Sequence, residues 1–275
     1  MIPLDSVALS AASLSLGYAG EPIITNLDVS IPDHSFTVII GPNGCGKSTL
    51  LKSLARMIRP LQGHVSLHGE DIAMVRPKAL ARRIGMLTQP PLAPAGLTVG
   101  DLVARGRNPH QTLLRQWSVS DEEAVSAALA EVNMTEHAHR FVDELSGGQR
   151  QRAWIAMALA QDTPVLLLDE PTTYLDVAHQ LDVLDLCSQL HAGGRTLVAV
   201  LHDLNLAARY ATHVIAMREG RIVATGSPTE TITPELLHAV FDLEARVIPD
   251  PETGRPLVIP RDRRASALVT TPAGS

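Results

Sequence analysis

One stretch limits what this chain can fold into more than any other. It is Gly41-Pro42-Asn43-Gly44-Cys45-Gly46-Lys47-Ser48-Thr49, which follows the β-branched run Phe36–Ile40 and leads into a helical pattern over residues 50–58. It fits GxxxxGK[ST] in the strand–loop–helix setting that this motif requires. Glycines let the backbone wrap closely around phosphate, so that successive N–H groups and a helix N-terminus face the anion. Lys47 brings a point charge to the β and γ phosphates, and Ser48 a hydroxyl for Mg²⁺. A chain carrying this loop must pack a strand end against a helix start, and a parallel sheet covered by helices is the architecture that does so.

The rest of the chain agrees. The aliphatic runs 165–168 and 196–201 alternate with helical patterns, which predicts an α/β core. Strand-like runs over 7–16 and 23–31 precede any helix and predict an antiparallel β subdomain leaning on that core. Between Pro90 and Val132 the pattern turns helical, with Ser120-Asp121-Glu122-Glu123 read as a capping box ahead of Ala124, Val125, Ala128, Leu129 and Val132. The expected organisation is one domain over 1–245, with a helical subdomain at about 90–160, then a hairpin-like extension over 246–260. The polar residues 261–275 are expected to be disordered.

Composition narrows the function. Acidic and basic residues are interspersed and the net charge is −6, so the basic stripe that holds nucleic acid is missing and nucleic acid is not an expected partner. Two cysteines, Cys45 and Cys187, form no CxxC and suit free thiols in a reducing compartment. The first residues have no basic segment and include Asp5, so they do not read as a signal peptide. The longest apolar run, 153–160, falls well short of the ~20 residues that span a bilayer, so any role at a membrane goes through another polypeptide.

Two further stretches carry chemistry. Val165-Leu166-Leu167-Leu168-Asp169-Glu170 is a buried strand that ends in two carboxylates, aimed at bound phosphates if it lies beside the phosphate loop. Asp169 suits Mg²⁺, a hard ion that prefers oxygen ligands, and Glu170 is the candidate to orient or deprotonate a water. Leu145-Ser146-Gly147-Gly148-Gln149 is a second phosphate grip, in which Ser146 can cap a helix running through Gln149 and Gln151.

Together these three motifs resemble the ATP-binding cassette (ABC) family over roughly residues 5–245. The resemblance implies the ABC ATPase fold, ATP and Mg²⁺ as ligands, and further site residues. Tyr18 stands where the family stacks an aromatic on adenine. Gln89 matches the glutamine that touches Mg²⁺ or the lytic water and links the core to the helical insertion. Asp176 matches the family's D-loop, although Tyr174 replaces the small residue common there, and His202 matches the switch histidine at the γ-phosphate. In this family Ser146, Gly147, Gly148 and Gln149 close over ATP held by a partner's phosphate loop, which implies a head-to-tail homodimer. It also implies two membrane-spanning permease subunits, a periplasmic or extracellular substrate-binding protein, and a place at the cytoplasmic face of the membrane.

A narrower resemblance rests on Arg105-Gly106-Arg107-Asn108-Pro109-His110-Gln111, on residues 171–180 and on Val247-Ile248-Pro249-Asp250-Pro251. These look like ATPases of importers for ferric siderophores, haem or cobalamin, ahead of zinc or manganese importers and of ABC ATPases outside transport. Residues 105–111 would then lie near the groove for the permease's coupling helix; the plainer reading is an exposed Arg-Pro loop. Cys45, beside Lys47 and a helix start, could have an activated thiol, but a small side chain that merely fits is the simpler reading. His64 and His68 lie in the strand-like stretch 63–69, where an i, i+4 interval makes no metal pair. His137 and His139 read as polar residues of the helical insertion.

Overall fold

The computed structural model describes residues 7–18, 21–88, 96–111, 117–173 and 175–262. Two long strands, β1 (Val7–Tyr18) and β2 (Glu21–Pro32), pair antiparallel. With β4 (Gln62–Leu67) and β5 (Glu70–Asp71) they form a four-stranded sheet in the order β2-β1-β4-β5. The turn between β4 and β5 is His68-Gly69, both at positive φ (48° and 79°), the backbone of a two-residue hairpin. His64 is therefore in a strand and His68 in its turn.

The core sheet has the order β10-β9-β3-β8-β7-β6. Its strands are β3 (Phe36–Ile40), β6 (Ile84–Leu87), β7 (Val165–Asp169), β8 (Thr196–Val200), β9 (His213–Arg218) and β10 (Arg221–Gly226); all pairings are parallel except β9 with β10. Every residue of β3, β7 and β8 is buried, as expected of parallel strands covered on both faces. Their side chains sort by the period of two. Phe36, Val38, Ile40, Leu166, Leu168, Leu197 and Ala199 enter one apolar core, while Ile39, Val165, Leu167, Val198 and Val200 enter the other.

Helix α1 (Lys47–Leu54) packs in the second core together with the antiparallel sheet. It ends four residues before the sequence pattern does, because Arg56 adopts φ 58° and the chain turns away. The short α2 (Pro77–Ala81) leads to β6. The first core is built against α3 (Val99–Ala104), α4 (Val119–Glu131), α5 (Gly147–Ala160), α6 (Val177–Ala192) and α7 (Leu204–Tyr210). The capping box of α4 differs from the one expected at Ser120: Ser118 is the N-cap and Asp121 its reciprocal partner, since Ser118 Oγ and N–H both donate to Asp121 Oδ2 (2.6 and 3.1 Å). The helix thus starts earlier, at Val119.

After α8 (Pro228–Thr231) and α9 (Pro234–Phe241), β11 (Ala245–Pro249) and β12 (Pro256–Pro260) pair as a hairpin over α7. Asn205 of α7 docks it, donating through Nδ2 to the Val258 carbonyl (3.3 Å) and accepting the Val258 N–H at Oδ1 (2.7 Å). Residues 263–275 lie outside the described residues.

Candidate functional site

Strands β7, β8 and β3 are neighbours, so the loops at their C-terminal ends meet at one edge of the sheet, where α/β folds place ligands. They deliver Glu170, His202 and the phosphate loop to a single cavity of about 590 Å³, lined by Ile23, Asn43, Gly44, Gly46, Lys47, Ser48, Thr49, Glu170, Thr173 and His202.

In this cavity Lys47 is buried and lies back along its own loop, donating through Nζ to the carbonyls of Gly41 and Pro42 at 2.9 Å each. An ammonium has three donors, so two are engaged in shaping the loop. Ser48 Oγ donates to Asp169 Oδ1 at 2.7 Å, and Lys52 Nζ stands 3.7 Å from Asp169 Oδ2. A hydroxyl and a buried carboxylate side by side are a hard-oxygen pair that fits Mg²⁺, an ion that keeps several waters and takes the rest from phosphate.

Glu170 occupies the left-handed region at φ 55°, a conformation that costs energy for a non-glycine residue and persists only when neighbours enforce it. The enforcement is visible. His202 Nε2 is 2.7 Å from Glu170 Oε1, and Thr173 Oγ1 donates to Oε2 at 3.0 Å. Behind them Gln151, buried on α5, donates through Nε2 to the Pro171 carbonyl at 2.8 Å. Sequence reasoning missed Thr173, Gln151 and Ile23; the signal for Gln151 was its helical spacing to the apolar Trp154, Ile155 and Ala158.

The signature turn, residues 146–149 at the start of the signature helix α5, stands apart. Ser146 caps α5, accepting the Gln149 N–H at 3.3 Å while Gln149 Oε1 accepts the Ser146 N–H at 3.2 Å. Ser146, Gly147, Gly148 and Gln149 do not line the phosphate-loop cavity. Among the described residues nothing lies within 4 Å of where a Gly147 side chain would begin, whereas a Cβ on Gly148 would come within 2.4 Å of the His179 ring. His179 is in turn held by Asp176, the N-cap of α6, which accepts from its backbone N–H (2.9 Å) and pairs with Nδ1 (2.7 Å). His137 Nε2 lies 3.2 Å from Gln149 Nε2, a polar contact within the helical insertion.

Several expected positions fall elsewhere. Gln89 and Tyr174 lie outside the described residues. Tyr18 ends β1, half exposed, and Ile23 rather than Tyr18 lines the cavity. Cys45 is buried in the second apolar core and does not line the cavity, and burial pushes its thiol up rather than activating it. The exposed-loop reading of residues 105–111 is also corrected: Arg107 is only 6% exposed, inside a 3-10 turn over Arg105–His110.

Comparison with known proteins is direct. Residues 24–173 match the ABC transporter family. The chain is 55% identical to the ferric enterobactin transport ATP-binding protein FepC of Escherichia coli (strain K12), over 97% of this chain and 99% of that protein. The chain belongs to the ABC transporter family. A second ABC relative is the iron(3+)-hydroxamate import ATP-binding protein FhuC of Bacillus subtilis (strain 168), 46% identical over 96% of this chain and 99% of that protein. Among solved structures, a dimeric bacterial ABC transporter cassette matches with a TM-score of 0.70 and 25% identity, over 80% of this chain and 98% of that one. The ABC ATPase fold is thus established, and with it ATP binding and hydrolysis as the activity of this chain.

Proposed function

We propose that this chain is the ATP-hydrolysing subunit that powers a membrane importer of ferric siderophores. The supporting observation is the near full-length likeness to two ATP-binding proteins of iron-chelate uptake, alongside a signature turn that does not line the cavity of its own chain. Two copies pair head to tail, an isologous arrangement in which each supplies Ser146, Gly147, Gly148, Gln149 and Asp176 to the ATP held by the other.

The roles follow from chemistry. The backbone of residues 41–49 and Lys47 hold the β and γ phosphates, and Tyr18 stacks on adenine. Ser48 and Asp169 hold Mg²⁺ with Gln89, and the ion when bound neutralises charge on the phosphates. Glu170, aimed by His202 and Thr173, orients the attacking water and accepts its proton at a carboxylate oxygen. His202 also hydrogen-bonds the γ-phosphate. Binding draws the two copies together and hydrolysis releases them, because ligand and product favour different states.

Among the described residues no helix is long and apolar enough to cross a membrane. In this reading the subunit sits at the cytoplasmic face on two permease subunits, with a substrate-binding protein on the far side. Co-purification of a multi-span permease and uptake measurements in a strain lacking this ATPase test the reading. Loss of ferric-siderophore uptake with intact cobalamin, zinc and manganese uptake is expected. Intact siderophore uptake refutes it.

A further inference from the structure

Helix α5 carries the signature turn at its start and, at its end, backbone carbonyls that no further helical turn can use. Those carbonyls are served by the 3-10 turn Arg105–His110. Arg107 Nη1 donates to Ala160 O at 2.7 Å, and His110 Nε2 is 2.8 Å from Gln161 O. A guanidinium here meets the negative end of the helix dipole. The same guanidinium donates through Nε to Asp121 Oδ1 at 2.9 Å, with both side chains buried (7% and 5% exposed). Gly106 lets the two backbones touch: a Cβ there would lie 2.1 Å from the Met157 carbonyl.

This junction is also tied to the core. Gln161 donates through Nε2 to the carbonyls of Ala81 and Ile84, the latter at 3.2 Å, and Arg82 Nε donates to Pro109 O at 2.9 Å. Ile84 opens β6, which pairs with β7, and β7 ends in Asp169 just before Glu170. A buried ion pair contributes little net stability compared with apolar residues of the same shape, so its use here calls for a role in geometry.

We propose that Arg107 is a positioning residue. By clamping the far end of α5 to α4 and to the core beside β6, it aims Ser146, Gly147, Gly148 and Gln149 at the ATP held by a second copy. The proposal rests on the paired reading given above. A helix of this length is a rod of about 21 Å, so a tilt of about 5° at the clamp displaces the tip by about 2 Å. Hydrogen bonds to phosphate do not survive that displacement.

The test uses the purified full-length chain with Arg107→Lys and with the double change Arg107→Met plus Asp121→Leu, each alone and combined with Glu170→Gln. Lysine keeps a charge beside Asp121 but has no planar fork to serve Asp121 and Ala160 O together. The double change removes both charges, so no carboxylate is stranded if one variant folds poorly. ATP affinity of the monomer, ATP-dependent dimerisation by ultracentrifugation and hydrolysis are measured, each normalised to the folded fraction by circular dichroism. The expected result is monomer affinity within about twofold of the parent and a dimer dissociation constant raised at least about tenfold, with turnover reduced in parallel; such a factor corresponds to about 1.4 kcal/mol. Dimerisation at parental strength in both variants overturns the proposal alone, as does a loss no larger than the unfolded fraction. If Glu170→Gln by itself stays monomeric in saturating Mg-ATP, the paired reading falls and the proposal falls with it.

Discussion

Gln151→Leu is the perturbation that most directly tests how the signature helix holds Glu170, the carboxylate proposed to orient the attacking water. Gln151 is 6% exposed, and its Nε2 is a hydrogen-bond donor to the buried Pro171 carbonyl, one residue past Glu170. Leucine has nearly the same volume, so no sizeable cavity opens, but the carbonyl loses its partner. Leaving a buried acceptor unsatisfied costs about 1–3 kcal/mol, and apolar burial of the leucine offsets part of it, giving a net loss of about 1–2 kcal/mol. For a chain of this size that lowers Tm by about 2–8 °C. The effect on turnover is larger than this loss suggests, because Glu170 is held at φ 55° by its neighbours and relaxes once Pro171 is free. Misplacing a reacting group by about 1 Å costs up to about 10²-fold, so kcat should fall about 10- to 100-fold while KM for ATP, set by residues 41–49, stays put. Thermal melts and steady-state ATPase assays decide it. A variant that melts within about 1 °C of the parent and hydrolyses ATP at the parental rate refutes the reasoning.

Glu170→Gln should lower kcat by about 10²- to 10⁴-fold while ATP still binds, and should trap a dimer visible by size-exclusion chromatography; an unchanged rate removes Glu170 from its role. Lys47→Ala should lose both ATP affinity and turnover, since it removes the buried ammonium at the cavity, and a binding titration matching the parent counts against that role. Both cysteines should resist alkylation in the native protein at pH 8, with or without nucleotide. Burial pushes the Cys45 thiol up and the Cys187 thiol to about 12, so both stay protonated, and rapid labelling measured by mass spectrometry contradicts the geometry.

Much of the site can be read from contiguous residues. The loop 41–49 between a strand and a helix, the aliphatic run ending in Asp169 and Glu170, and the helix start at Ser146 are each local patterns, because phosphate binding by backbone N–H groups needs neighbours in sequence. Helix limits were harder. Ser118-x-x-Asp121 and Ser120-x-x-Glu123 both fit the local capping pattern, and the structure uses the first, in which Asp121 also pairs with the buried Arg107, 14 residues away.

The sequence by itself determined the α/β architecture, the family and the motifs at residues 41–49 and 145–149, since each rests on short-range periodicity or a motif. Only the tertiary structure decided that Glu170 is braced by His202 and Thr173 with Gln151 on the adjoining Pro171 carbonyl, that Cys45 is buried in the second core, and that Arg107 is sealed at the foot of the signature helix. The first kind of information is carried by backbone geometry over a few residues. Side chains tens of residues apart meet only when strands and helices pack, and their burial turns ordinary polar residues into fixed parts of the site.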